Sequence, residues 1–308
     1  VVTLKLPLAA LATREPVAPT GEVYIRASRV ASICPREEVL AHLGGVERTK
    51  STSPGDAVTY ARGHGLHAAA REHILPQIGV LYGKWSCLDC GRAYGAPWET
   101  LPLRVEDGVR PPALAEALVL RPSRCESCGS EEFAYRELKF EAPEYRTGGS
   151  PDGFLRLPGL PGLGLLELKS TAAPWDVRHA PLLSHAIQVQ TYLWFTGLPW
   201  AVIVYWDTTA EGIDALSAFK LDRDPVTIDA IRAALASVVR GVEGGPLPAR
   251  ICSSADCPRA KQCSVAKACF EAAPRLPDPE DPEDDQDGPD RWGEPGVTPD
   301  LAASEVVF

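Results

Sequence analysis

The chain has 308 residues, 45% of them hydrophobic and 23% charged, with a formal net charge of −10. This length and apolar content suit one substantial core with a small added module, which excludes a wholly disordered or fibrous chain. No window reaches transmembrane length, so a membrane-spanning helix is not expected.

The N-terminal run Val1–Ala12 is briefly apolar, yet short and weakly basic for a signal peptide. Arg62-Gly-His-Gly-Leu-His67 is expected to open an alanine-rich helix that runs to about Leu75. His67 can present an imidazole nitrogen to a metal, although a helical histidine equally serves as a hydrogen-bonded core or surface residue. Next come two CxxC knuckles, Cys87-Leu-Asp-Cys90 and Cys125-Glu-Ser-Cys128, each followed by a glycine. Such spacing favours tetrahedral thiolate coordination of Zn²⁺; a redox pair or disulfides are the rival readings, and neither explains two knuckles. Between them Pro111–Leu118 reads as a helix or loop.

The acidic centre follows. Ser150-Pro-Asp-Gly153 leads into a strand, turn and strand over 153–168, and the second strand carries Leu166-Glu-Leu-Lys169. Glu167 and Lys169 are two residues apart, so on a strand they share a face, and the hairpin would bring Asp152 to them. Carboxylates that can hold a hard divalent cation, beside an ammonium, are what phosphodiester hydrolysis requires. Glu-x-Lys alone also suits a solvated strand of alternating charge. Ser184–Thr196 is expected to form a helix ending at Gly197, with Gln188 and Tyr192 four apart on one face, and Ala201–Trp206 a buried strand.

Five cysteines remain: Cys34, Cys252, Cys257, Cys263 and Cys269. Cysteines at metal-type spacings argue for a reducing compartment, here the cytoplasm of a prokaryotic or virus-infected cell. The net charge is concentrated at the end of the chain. Residues 274–308 hold eleven Asp or Glu and two Arg, leaving 29 basic and 30 acidic residues in the body. That body can present a basic groove to nucleic acid, with Arg26, Arg29, Arg36, Arg62, Arg178 and Lys220 as candidates. The tail reads as disordered; it is a solubilising segment, a protein-docking peptide with an apolar tip at Glu305–Phe308, or a mimic of DNA.

Taken in order, Gly63-x-x-x-His67, Gly149-Ser-Pro-Asp-Gly153, Glu167-Leu-Lys169 and Gln188-x-x-x-Tyr192 resemble the RecB-like branch of the PD-(D/E)xK nucleases. The exonucleases related to the CRISPR-adaptation nuclease and the AddB nuclease domain are the nearest in pattern, over residues 24–270. The resemblance implies that His67, Asp152 and Glu167 bind Mg²⁺ or Mn²⁺, with the Leu168 carbonyl as a further ligand. It implies that Lys169 positions or activates the water and that Gln188 and Tyr192 touch DNA near the scissile phosphate. Relatives in this group clip the ends of the domain together with a four-iron, four-sulfur cluster on one early and three late cysteines. This chain offers five thiols and lacks the usual late CxxC. Cys34 would then join either Cys252, Cys263 and Cys269 or Cys252, Cys257 and Cys263, with a second zinc or free thiols as the alternative.

The expected fold is α/β, a restriction-endonuclease-like mixed sheet flanked by helices, with an inserted zinc module and a C-terminal iron–sulfur region. The expected divisions are an N-terminal segment with the first helices (1–83), a zinc insertion (84–132), a catalytic core (133–245), a cysteine cluster (246–272) and an acidic tail (273–308). The expected activity is metal-dependent DNA exonuclease, on single strands or duplex ends. A structure-selective endonuclease or CRISPR spacer-processing factor is the alternative enzyme, and a non-catalytic DNA-end-binding adaptor the alternative of another class.

Overall fold

The computed structural model of the chain describes residues 24–44, 54–95, 103–105, 111–172, 177–271 and 304–305. The N-terminal apolar run and the acidic tail, apart from Ser304–Glu305, lie outside the described residues. In chain order the elements are β1 (Ile25–Arg26), α1 (Pro35–Leu43), α2 (Pro54–Ala69), β2 (Leu81–Cys87), β3 (Ala93–Tyr94), β4 (Leu103–Arg104) and α3 (Pro111–Ala117). Next are β5 (Val119–Leu120), β6 (Phe133–Arg136), β7 (Phe140–Ala142), β8 (Thr147–Gly149), β9 (Gly153–Leu155) and β10 (Gly164–Thr171). The remainder are α4 (Leu183–Thr196), β11 (Trp200–Asp207), β12 (Leu216–Asp222), α5 (Pro225–Val242), α6 (Pro258–Lys261), α7 (Ala266–Glu271) and β13 (Ser304–Glu305).

The fold is mixed α/β. A large sheet runs β13-β12-β11-β10-β9-β2-β3, with β5 and β6 also on β2, and a smaller one runs β1-β8-β7-β4. β11, Trp-Ala-Val-Ile-Val-Tyr-Trp-Asp, is apolar on both faces because it lies centrally, parallel to β10 and antiparallel to β12. Alternate residues feed two cores. Leu165, Ala201, Ile203 and Tyr205 pack with α4 and α5, whereas Leu166, Leu168, Val202 and Val204 pack with Leu81, Trp85 and Phe133. Glu167 and Lys169 therefore share the face of the α4 core.

α4 is buried from Ala186 to Thr196 and ends at Gly197 in the left-handed conformation, whose N–H donates to the Leu193 carbonyl. α5 is amphipathic and starts on an Asp224 cap that accepts from the Val226 N–H. Among the described residues no helix is long and apolar enough to cross a membrane.

Three sequence expectations are revised. The helix expected to open at Arg62 begins at Pro54, where proline is tolerated in a first turn, and passes through Gly63 and Gly65 without breaking. Gly63 faces β10, where a Cβ would stand 3.4 Å from Ser170 Oγ, an ordinary van der Waals contact. Beyond Ala69 the helix widens into a π turn over Ala70–Ile74, closed by the Leu75 N–H to the Ala70 carbonyl. Second, Arg36 does not belong to a basic groove: it is 8% exposed and donates to the Pro248 carbonyl at 3.0 Å. Third, β2 runs unbroken through residue 84, pairing with β9 at one end and with β3 and β6 at the other. The cysteine knuckles thus grow out of a strand of the main sheet.

Candidate active site and cysteine clusters

The β9–β10 pairing sets Gly153 opposite Leu166, which delivers the preceding Asp152 to the middle of β10. Asp152 Oδ2 accepts the Leu168 backbone N–H at 2.8 Å. Its Oδ1 lies 3.0 Å from His67 Nδ1 and accepts from Arg71 Nη1 at 3.0 Å. His67 and Arg71 are four residues apart at the end of α2 and in the π turn, so both reach the same oxygen. Arg71 Nη1 also donates to Glu137 Oε1 at 2.5 Å, and its guanidinium sits 5.6 Å from the Tyr135 ring centroid.

The second half of the site hangs on β10 and α4. Glu167 is 4% exposed, and its Oε1 lies 2.7 Å from Lys169 Nζ. The same oxygen accepts from Gln188 Nε2 at 2.8 Å, while Gln188 Oε1 accepts from Lys169 Nζ at 2.9 Å. Gln188 Nε2 also reaches the Tyr192 hydroxyl at 3.2 Å. Burial, with the Asp152 charge adding to it, outweighs the Lys169 ammonium and pushes the Glu167 carboxyl up to about 8. Glu167 Oε2 is buried with no hydrogen-bond partner. A buried, orphaned carboxylate oxygen that also feels the charge of a second carboxylate is costly unless a cation takes it.

His67, Asp152, Glu167, Lys169, Gln188 and Tyr192 are thus brought together. Gln188 and Tyr192 stand behind the Glu167–Lys169 pair, both buried. Four neighbours carry no motif: Arg71, Glu137, His185 and Tyr205. Only spacing signals them, Arg71 four residues after His67 and His185 three before Gln188.

The knuckles converge fully. The four sulfurs of Cys87, Cys90, Cys125 and Cys128 lie within 4.8 Å of one another, an arrangement that can hold one metal ion. Gly91 and Gly129 take positive φ, 74° and 77°, so that their N–H groups fold back to the carbonyls of Cys87 and Cys125. The Tyr94 hydroxyl donates to Cys125 Sγ at 3.3 Å and draws that thiol down to about 6, towards the thiolate that binds metals.

Among the described residues the other five cysteines form no comparably tight group. Cys34, Cys252, Cys263 and Cys269 line one cavity, together with Glu37, Arg250 and Arg259. Cys257 lies outside that lining but beside Cys252, whose thiol is pushed up by burial and by this neighbour, and it caps α6, its sulfur accepting the Ala260 N–H at 3.3 Å. The two ends of the fold are already tied there, by Arg36 to the Pro248 carbonyl and by Arg259 to the Ser32 carbonyl at 2.9 Å.

No family model and no curated protein matches the chain. Among solved structures it is similar to an alkaline exonuclease, LHK-Exo from Laribacter hongkongensis, at 18% identity over 74% of this chain and 91% of that one, with a TM-score of 0.40. It is likewise similar to LHK-Exo in complex with dAMP, at 18% identity over 75% and 93% with a TM-score of 0.42. SSO0001 matches at 13% identity over 80% and 86% with a TM-score of 0.37.

Proposed function

We propose that this chain is a divalent-metal-dependent deoxyribonuclease of the RecB-like PD-(D/E)xK kind, acting as an exonuclease on single strands or duplex ends. The observation that carries this reading is the buried Glu167 with one oxygen unpartnered, set beside Asp152 and Lys169. Two carboxylates and one imidazole are a donor set suited to Mg²⁺ or Mn²⁺. Asp152, Glu167 and His67 would hold the ion, with the Leu168 carbonyl as a further donor. When bound, the ion polarises the phosphate and makes a water acidic enough to attack.

The chain's own groups do the rest. Lys169, fixed by Glu167 and by Gln188, holds its ammonium where negative charge develops on the phosphate and orients the attacking water. Gln188, itself tied to Tyr192, holds the acid and the lysine in one plane of contact, so both act on the DNA through that pair. Arg71 keeps Asp152 turned towards His67. The knuckle cysteines, Cys87, Cys90, Cys125 and Cys128, would hold a structural Zn²⁺ in an insertion that grows out of β2. Cys34 with Cys252, Cys263 and Cys269, which share a cavity, would hold a four-iron, four-sulfur cluster with Cys257 left over. Both centres suit a reducing cytoplasm.

The test is digestion of 5′- and 3′-labelled single- and double-stranded oligonucleotides with Mg²⁺, with Mn²⁺ and in chelator. Metal-dependent release of nucleotides from an end is expected. Undiminished turnover in Glu167→Ala would remove the assignment from this cluster, and cuts within a circular single strand would make the enzyme an endonuclease.

A further inference from the structure

His185 lies one turn before Gln188 on α4, so the two share a face of the helix. Beneath it is Tyr205, which stands directly opposite Lys169 in the β10–β11 register. The Tyr205 hydroxyl accepts the Leu182 N–H at 3.0 Å and lies 2.9 Å from His185 Nδ1. Tyr205 is 1% exposed, so its own proton needs an acceptor within the protein. With Leu182 acting as donor, His185 Nδ1 is that acceptor among the described residues. This order of donors leaves the ring proton on Nε2. His185 is half-buried, and among the described residues its Nε2 makes no hydrogen bond. The ring is near enough to Lys169 to feel its charge, and burial together with that charge draws the imidazole down to about 4. It is therefore uncharged across the neutral range.

From this geometry we propose that His185 is a further DNA-contacting residue, donating its Nε2–H to a non-bridging phosphate oxygen of the strand that Lys169 faces. The inference rests on the nuclease reading and deepens it. A single fixed donor beside an ammonium matches a phosphodiester oxygen, which can accept from both. Leu182 and Tyr205 are then positioning groups that set the tautomer. A neutral donor also lets the site grip a phosphate without adding to the positive charge of Lys169 and Arg71, against which a divalent ion would have to bind.

The experiment compares wild type, His185→Ala, His185→Gln and Tyr205→Phe in Mg²⁺ on an oligodeoxynucleotide and on copies carrying one methylphosphonate, placed in turn at each linkage near the cleaved end. Loss of a hydrogen bond to a charged group predicts that His185→Ala lowers kcat/KM about tenfold or more on the unmodified strand. The penalty should vanish at one methylphosphonate position, where the accepting oxygen is already gone. His185→Gln, which keeps an N–H donor, should recover part of the rate, and Tyr205→Phe should lose less than His185→Ala. Independently of turnover, ¹⁵N spectra of the ring should show a protonated Nε2 in wild type and a mixture of tautomers in Tyr205→Phe. A penalty equal on every methylphosphonate strand, or none on the unmodified one, overturns the proposal. If wild type cleaves nothing in either metal, the nuclease reading has failed by itself. The contact is then read from binding of the same oligonucleotides by fluorescence anisotropy. A weakening of about tenfold in His185→Ala supports the contact, and equal affinity overturns it.

Discussion

In the cysteine knuckles, four sulfurs arrive on two tight turns, Cys90 and Cys125 being 35 residues apart, at the rim of the sheet with Cys90 and Cys128 exposed. In the acidic cluster, the groups come from α2, the π turn, the start of β9, β10 and α4, and Asp152 and Glu167 are buried. The acidic cluster also carries its own cations, Lys169 and Arg71, which offset part of its charge and leave Glu167 Oε2 without a partner. Among the thiols Cys125 is drawn down, whereas Cys90 and Cys128 are pushed up and reach their charged state only as protons leave and a metal arrives. Pre-assembly thus comes cheaply where counter-charges are part of the fold, and stripping metal should spare one region and break the other.

The largest effect tests the buried acids. Asp152→Asn and Glu167→Gln should each lower turnover at least about a hundredfold, the scale of losing a preorganised electrostatic group, while both still fold cooperatively. In chelator the two proteins should diverge with pH. The folded Glu167 carboxyl titrates near 8 against an ordinary 4.5, so the unfolded chain releases that proton first. Wild type should therefore lose stability as pH rises from 4.5 towards 8, and Glu167→Gln should not. A flat difference between the two melting curves would show that Lys169 compensates fully for burial.

Next in size is the knuckle. Cys125→Ser should abolish about one equivalent of bound zinc, read by elemental analysis, and lower the melting midpoint by at least ~5 °C, because metal affinity there is folding free energy. Proteolysis should then cut first within 88–132. Turnover loss without any zinc loss would contradict the separation of the two regions.

Arg71→Ala removes one of the internal cations. Turnover should fall about tenfold as Asp152 loses a charge-assisted hydrogen bond. The Mg²⁺ concentration for half-maximal rate should fall too, since no guanidinium then competes for Asp152 Oδ1. An unchanged metal requirement would mean that Arg71 and the ion use different oxygens.

A smaller effect belongs to His185. Its folded-state value near 4 lies below the ordinary 6.5, so its contribution to stability is complete above 6.5 and disappears as pH falls through 4. Melting midpoints across that window should slope less in His185→Gln than in wild type. The smallest effect is deletion of residues 275–308. It should tighten nonspecific DNA binding at about 50 mM salt and leave it nearly unchanged at high salt. Ser304–Glu305 pairs with Phe219 and Lys220 on β12, which places β13 three strands along the sheet from the strand of Glu167, so these two residues do not occupy the acidic cluster.

Local patterns carried most of what was legible. The hairpin that unites Asp152 with Glu167, the two glycine-ended knuckles, the α4 helix and the apolar β11 each announce themselves within a dozen residues. Arg71 was missed because its partners are 81 and 66 residues away and an arginine after three alanines reads as solvated. Tyr205 was hidden inside a strand whose apolar character explains it without any role for the hydroxyl. The start of α2 was misplaced because its glycines resemble breakers, whereas the helix runs through both of them.

The β10–α4–β11 crossover has a consequence for how the site comes into being. Glu167, Lys169, His185, Gln188, Tyr192 and Tyr205 all lie in residues 164–207, and the contacts joining them span no more than 21 positions. The His67–Asp152 contact closes 85. Short loops close at lower entropic cost and sooner. In pulse-labelled hydrogen exchange the lysine half should gain protection first, with the histidine arriving afterwards, so that a partly folded chain holds the water-orienting residues before it holds a full set of ligands.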